Sequence, residues 1–341
     1  MKTLNVLYVT SHRARIAARK GSLVVTDPER GKQRVPTERL EALVLLGHAE
    51  LTSAAMTECV QRDIRVTALT RNGRVRYCVS GATGGNVTLR TQQLAISSDA
   101  ARSAALARAL VAGKLQNART MINRWISDAP HAARRGLIEQ RDPITRALHA
   151  LPAATDPERI RGIEGDGSRR YFRAVTIALS QTPFPFQIRS RRPPLDPPNA
   201  VLSFVYGLVH SELIGATEAL GLDPQVGFLH RLRPGRASLA LDLAEELRPT
   251  HADRFSIRLL RRKELDPETD FQGHPGGACH LTDTGRKKVL ERYESFRESE
   301  EHHQLLDKPI PRWSLPHVQS TLMARHLRGD LPAYPPHRAT T

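Results

Sequence analysis

The stretch GLDPQVGFLHRLRPGRASLALDLAEELRP, residues 221–249, concentrates side chains able to bind a cation and a phosphate together. Ser238 is a natural N-cap for a helix over LALDLAEELR, with Leu239, Leu243 and Leu247 as its apolar stripe and Pro249 as its stop. On that helix Asp242 and Glu245 are three apart and Asp242 and Glu246 four apart, so either pair projects from one face. His230 stands just before the Arg-rich turn that leads into the helix. One imidazole and two carboxylates, with a third carboxylate from elsewhere, make an oxygen-rich site for a divalent metal. Such a site suits phosphodiester chemistry, because the cation activates a nucleophilic oxygen and stabilises the charge building on the phosphate. Arg231, Arg233 and Arg236 beside it are placed to hold the substrate's phosphates.

Two other segments concentrate ionisable groups. IRGIEGDGSRRYF, residues 160–172, carries Glu164 in an Arg-rich helical run, and FQIRSRRPPLDPPNAVLSFVYGLVHSEL covers residues 186–213. Each residue alone is weak evidence. A helical carboxylate is usually solvated or ion-paired with a neighbour, and a lone His is usually a surface or core residue. HPGGACH, with His274, Cys279 and His280, has no second Cys pair, and its Gly-Gly marks a turn, so it is not read as a zinc site.

These groups must be positioned by a chain of 341 residues, long enough for two domains. Hydrophobic residues are 40% of it, a mix able to bury a core. The net charge of +16 excludes an acidic solvating chain and makes a polyanion the leading partner class. Of the 51 cations 43 are Arg, which fits phosphate recognition and equally a GC-rich coding bias. Three scattered cysteines exclude a disulfide framework. The apolar start runs only from Leu4 to Val9, too short for a signal peptide core. No run reaches the ~20 apolar residues of a membrane span, so the expectation is a cytoplasmic protein without a membrane partner.

The first 90 residues hold the strand-like runs LNVLYVT, GSLVVT, ALVLLG, DIRVTAL and GRVRYCVS. Asn72-Gly73 signals a hairpin, and Thr52 is placed to cap one helix carrying Met56, Cys59 and Val60. These 90 residues carry 15 basic and 7 acidic groups, half the net charge, implying a face that is basic or paired with another subunit. From about Thr91, Ala105, Leu106, Leu110, Val111, Leu115 and Met121 mark a long amphipathic helix. Helical stretches continue to about residue 330, and LPAYPPHRATT is expected to be extended. The expected class is α+β: a small β-rich N-terminal domain, residues 1–88, followed by a larger all-α catalytic domain, residues 89–341.

Read in order, these segments resemble the CRISPR-associated integrase-endonucleases, the larger of the two core spacer-acquisition proteins. The resemblance rests on IEG at 163–165 followed by Tyr171 and Phe172, RRPPLDPPNAVLSFVYGLV at 191–209, GLDPQVGFLH at 221–230 and SLALDLAEELRP at 238–249. RVPTERLEALVLLG at 34–47, LTDTGRKKVLERYESF at 281–296 and VQSTLMARHLRGDLPAYPP near the end extend it to essentially the whole chain. It implies a metal site of Glu164, His230 and Glu245, with Asp242 beside them as a supporting or alternate ligand, and Mg²⁺ or Mn²⁺ as the cation. Glu245 rather than Glu246 matches the family's pattern. Asp166 and Gly167 depart from its usual small apolar residues, and Asp166 sits about 200° round a helix from Glu164. Asn199, Tyr206 and Arg248 are read as packing and capping. The implied reaction joins a 3′-hydroxyl of a short duplex to a CRISPR repeat, with water able to take the same place in a nuclease reaction. The implied partners are double-stranded DNA, a second copy through the β domain, and a smaller acquisition protein bridging two dimers in a heterohexamer-type complex. A stand-alone transposon-type integrase and a non-catalytic DNA-binding scaffold of the same fold are the alternatives.

Overall fold

Apolar alternation in the first 80 residues resolves into two four-stranded sheets. In the computed structural model, which describes residues 5–339 except 12, 39, 71, 72, 74, 80 and 82–85, the strands are β1 (Asn5–Val9), β2 (Arg15–Ala18), β3 (Ser22–Asp27), β4 (Gly31–Pro36), β5 (Leu40–Leu46), β6 (Glu50–Leu51), β7 (Arg65–Leu69) and β8 (Val75–Val79). One sheet runs β1-β5-β7-β8 and the other β4-β3-β2-β6. β5 is parallel to β1 and β7, with Leu43 opposite Val66 and Leu45 opposite Ala68, so its buried side chains lie in the middle of the first sheet. Helix α1 (Ser53–Gln61) starts where expected: Thr52 accepts a hydrogen bond from the Ala55 N–H. Its Ala55 and Cys59 join Ile16, Leu23, Leu43 and Val66 in one apolar cluster. β7 and β8 pair antiparallel, and Gly73 between them has φ +76°. Asn72 lies outside the described residues.

The chain divides into units of residues 1–84 and 85–341. The second is mostly helical: α2 (Val87–Ser98), α3 (Ala100–Asp128), α4 (His131–Ala150), α5 (Pro157–Leu179), α6 (Pro197–Ala219), α7 (Ser238–Leu247), α8 (Arg254–Arg261), α9 (Asp283–Glu298) and α10 (Leu315–Arg328). It is not all helix. Two short antiparallel ribbons, β9 (Phe271–Gly273) with β10 (Cys279–Leu281) and β11 (Glu300–His303) with β12 (Lys308–Pro311), interrupt it. The long helix expected from Thr91 is two helices, because Asp99 leaves the helical path and accepts from the N–H groups of Ala101 and Arg102 to start α3. Residues 334–339 form no helix or strand.

α6 corrects the reading that no segment is long and apolar enough for a membrane. Its 23 residues pass on length and hydropathy, yet it is the core helix of this unit, packed against α7, α8 and α10 with Val201, Phe204, Val205 and Leu208 buried.

Pro249 does not stop the helix of α7 either. The backbone widens into a π turn, Arg248–Asp253, and continues into α8. Proline has no N–H and its ring crowds the carbonyl four residues back, and the wider turn accommodates both constraints. Ser238 likewise is the first helical residue rather than the cap. Its hydroxyl donates to the Arg231 carbonyl at 3.3 Å, and the Leu239 N–H is satisfied by the Pro224 carbonyl at 2.9 Å.

α3 and α5 approach closely enough that a Cβ on Gly167 would collide with the side chain of the fully buried Leu115. Gly167→Ala should therefore overpack the α3–α5 contact and cost about 1–3 kcal/mol. Thermal denaturation should show a lowered Tm with the secondary structure retained.

Candidate active site

Residues 221–230 form no regular element, so side chains from neighbouring helices fix this loop. Buried Gln93 on α2 donates to the carbonyls of Asp223 (2.8 Å) and Val226 (2.7 Å) and accepts from the Asp223 N–H (2.9 Å). Ser97 donates to the Gly227 carbonyl at 2.8 Å. From the other side, fully buried Asp242 on α7 accepts from the backbone N–H groups of Phe228 (2.6 Å), Leu229 (3.0 Å) and His230 (3.0 Å). Gly227 is required here: a Cβ would lie 2.7 Å from Asp242 Oδ2 and 2.8 Å from the Ser238 backbone.

Asp242 also faces His230 Nδ1 at 2.6 Å. A carboxylate only accepts, so Nδ1 carries the proton and Nε2 presents a lone pair. Nε2 points toward Glu245, 3.9 Å from its Oε1. Asp242, one of the predicted ligands or ligand supports, thus spends both oxygens on the loop and on the orientation of His230.

Glu164 on α5 and Glu245 on α7 meet at the ammonium of Lys114 on α3, which pairs with Glu164 Oε1 and Glu245 Oε2. Ser168 donates to Glu164 at 2.8 Å, and Arg248 pairs with the other oxygen of Glu245. Burial by itself would raise the Glu245 carboxyl, but the cations Arg248 and Lys114 outweigh it and hold the group at about 2. Burial alone would lower Lys114, yet the two glutamates keep its affinity for a proton above the ordinary value. Glu245 is ionised, and both carboxyl groups are paired with cations.

These groups line a cavity of about 360 Å³ together with Arg189, Tyr206 and Asp253. The π turn brings Arg248 and Asp253 to its wall from the same short segment. Tyr206 donates to Asp253 Oδ1 at 2.6 Å, and the guanidinium groups of Arg189 and Arg248 stack over its ring at 5.2 and 4.9 Å. Burial pushes the Asp253 carboxyl up to about 6 despite the Tyr206 hydrogen bond. Tyr206 and Arg248, read from sequence as packing and capping, belong to this cavity. Asn199 is not a cap, that place in α6 being taken by Asp196; its side chain ties down the preceding loop, accepting from Arg189 and the Ser190 N–H and donating to the Ile188 carbonyl.

Glu246 faces away from the cavity. It accepts from Tyr334 at 2.5 Å, from Gln319 at 2.9 Å and from the His337 N–H at 2.8 Å, anchoring the C-terminal segment. Arg231 and Arg233 are exposed on the loop, with Arg231 paired to Glu158, while Arg236 is half-buried and its proton is held less firmly through burial and the nearby Arg233. Asp166 is an outward group paired with Arg169 at 3.2 Å. His274 and His280 face each other across the β9–β10 ribbon with rings 4.8 Å apart, and Gly276 and Gly277 form its turn. Among the described residues no three His, Cys, Asp or Glu side chains stand ready-made as a metal cage, here or at the main cavity. At the main cavity the reason is visible: an ammonium already sits between the two carboxylates. It is a stand-in cation, and two carboxylates plus an oriented imidazole are a donor set that fits a hard divalent ion. Lys114 and Gln93 escaped the sequence reading; Lys114 shows there only as one polar residue interrupting an Ala/Leu-rich stripe.

A strand-rich unit followed by a mostly helical one is a fold shared with solved proteins, and the chain has close sequence relatives. The family model described as CRISPR associated protein Cas1 matches residues 7–295. A CRISPR-associated endonuclease Cas1 of Rhodospirillum rubrum is 40% identical over 344 residues, and one of Moorella thermoacetica is 37% identical over 336, each match covering 98% of both chains. Among solved structures, a Cas1 protein from Thermotoga maritima has TM-score 0.82 at 20% identity, covering 95% of this chain and 97% of that one. A casposase bound to integration product has TM-score 0.85 at 20% identity, covering 99% and 95%. This chain belongs to the Cas1 family.

Glu246 supplies a test of the site's back wall. Burial raises its carboxyl to about 7, against the hydrogen bonds from Tyr334 and Gln319. A raised folded-state pKa favours the protonated form, so this contribution is present below the ordinary value of 4.5 and is lost as pH rises through about 7. Glu246→Gln removes the titration. Across pH 5 to 8 the wild-type Tm should fall relative to that of the variant, a difference in slope that differential scanning fluorimetry reads directly.

Proposed function

We propose that the protein is a metal-dependent DNA endonuclease and integrase of CRISPR adaptation, joining 3′-hydroxyl ends of short duplex DNA to the repeat of a CRISPR array. The observation that carries this is the convergence of Glu164 and Glu245 on one positive charge beside the free nitrogen of His230. Glu164, Glu245 and His230 would hold Mg²⁺ or Mn²⁺. When bound, the ion supplies charge neutralisation at the scissile phosphate and lowers the pKa of an attacking hydroxyl or water.

The remaining work belongs to the chain. Asp242 keeps His230 in the tautomer that leaves Nε2 as a donor of electrons rather than of a proton. Arg248, stacked on Tyr206 and paired with Glu245, orients that carboxylate and brings a cation to the wall facing the substrate. Arg231, Arg233 and Arg236 on the adjoining loop hold the DNA backbone, and a net charge of +16 supplies long-range attraction. Two joinings at fixed separation need two sites. We therefore extend the proposal to a homodimer through the strand-rich unit, bridged to a second dimer by a smaller acquisition partner, acting on DNA in the cytoplasm. The fold is shared with a casposase, so fold alone does not separate this reading from a stand-alone transposon integrase; identities of 37–40% to curated CRISPR-associated endonucleases over 98% of both chains favour the CRISPR reading.

Incubation of the protein with a repeat-bearing supercoiled plasmid and a labelled short duplex, with Mn²⁺ or Mg²⁺, should yield joined products. His230→Ala and Glu245→Gln should retain duplex binding and lose joining by orders of magnitude, whereas Glu246→Gln should join nearly normally. A folded His230→Ala protein with near-normal turnover would overturn the site. Neutralising Arg231 or Arg233 should lower the slope of log affinity against log salt by about one and weaken unrelated duplexes alike. A loss confined to one sequence would assign these arginines to base reading instead.

A further inference from the structure

The proposed site is charge-balanced before any divalent ion enters it. Lys114 neutralises Glu164 and one oxygen of Glu245, and Arg248 neutralises the other oxygen. The oxygens of Asp242 are taken up by three backbone N–H groups and His230, so it is not left to ligate a further cation. The side chains of Lys114 and Glu245 are nearly enclosed, 11% and 3% exposed, so surplus charge here is only weakly screened by water. A divalent ion placed among Glu164, Glu245 and His230 would add two positive charges to this balanced set of two cations and two carboxyl groups. Relief requires an anion to arrive with it and the Lys114 ammonium to turn away from the carboxylates.

We infer that Lys114 makes capture of a divalent cation at this site conditional on a DNA backbone phosphate. The inference rests on the proposed function and deepens it. Lysine suits the role, since its ammonium is a compact charge on a flexible stem, free to exchange one oxygen partner for another. The phosphate has somewhere to go: Arg169, Arg189 and Arg191 line the same cavity as Lys114. In the DNA-free protein Lys114 holds the two glutamates together and blocks the space between them. With DNA present its ammonium passes to a phosphodiester oxygen, and the two carboxylates are released to the divalent ion. Lys114 is thus a positioning residue with two alternative partners. By linkage, whatever factor DNA adds to metal affinity the metal returns to DNA affinity.

The test is a Mn²⁺ titration of the full chain, with free Mn²⁺ read by electron paramagnetic resonance, without and with a short blunt duplex whose own Mn²⁺ binding is subtracted. For the wild type the duplex should tighten Mn²⁺ binding about tenfold. Lys114→Met should bind Mn²⁺ without DNA as tightly as with it, to within about twofold, and tighter than the DNA-free wild type. Lys114→Gln, which keeps a hydrogen-bond donor and loses the charge, should behave as Lys114→Met does and serves if the methionine variant does not fold. If duplex coupling is the same in the wild type and in these variants, or if they bind Mn²⁺ more weakly without DNA, the inference is overturned while the metal site stands. If the wild type shows no Mn²⁺ binding that Glu164→Gln abolishes, it is the proposed metal site that fails.

Discussion

Two carboxyl groups brought face to face in a nearly buried wall need a cation between them, and the architecture of the helical unit follows from supplying one. Glu164 and Glu245 come from α5 and α7, and the cation between them comes from α3, so three helices must hold a common register. The close α3–α5 contact at Gly167 and Leu115 sets one distance. The π turn sets another, by adding Arg248 behind Glu245 without ending the helix. A buried charge is tolerated only with such partners, so loss of any one of them leaves an uncompensated group.

α7 shows how sharply environment divides identical chemistry. Asp242, Glu245 and Glu246 lie within five consecutive residues and are all buried. Asp242 organises a loop, Glu245 faces the cavity and Glu246 anchors the C-terminal segment. Neighbouring glutamates hold their protons oppositely, Glu245 at about 2 and Glu246 at about 7, because cations surround the first and neutral donors surround the second.

Much of this was legible in the chain. The alternating runs of the first 80 residues identify five of the strands, since period-2 burial writes itself into composition. The three strands it missed, β2, β4 and β6, are either short or polar: GKQRVP in β4 is almost wholly exposed, so it carries no hydrophobic signature. The order of the motifs around Glu164, His230 and Glu245 placed the candidate site. Spacing alone left Glu245 and Glu246 equivalent, because both lie within one helical turn of Asp242; only the neighbours supplied by α3 and by residues 334–337 tell them apart. Lys114 and Gln93 were illegible for the same reason. Each meets its partners across 50 to 133 residues of sequence, and a local pattern cannot record such a meeting. The π turn was misread because proline is a helix stop in isolation, while here packing on both sides makes continuation cheaper than an end.

The C-terminal segment behind the site has a consequence for how the protein is made. Asn117, one turn along α3 from Lys114, donates to the carbonyls of both Glu246 and His337, the latter 220 residues further along the chain. A ribosome delivers the chain from its N-terminus, so the strand-rich unit is able to fold early, whereas α3 and α7 wait for the segment that joins them from behind. During that interval the nascent helical unit lacks the buried polar bonds that fix its catalytic register. The bonds that tie α3 to α7 and to residue 337 are thereby complete only after translation has passed His337.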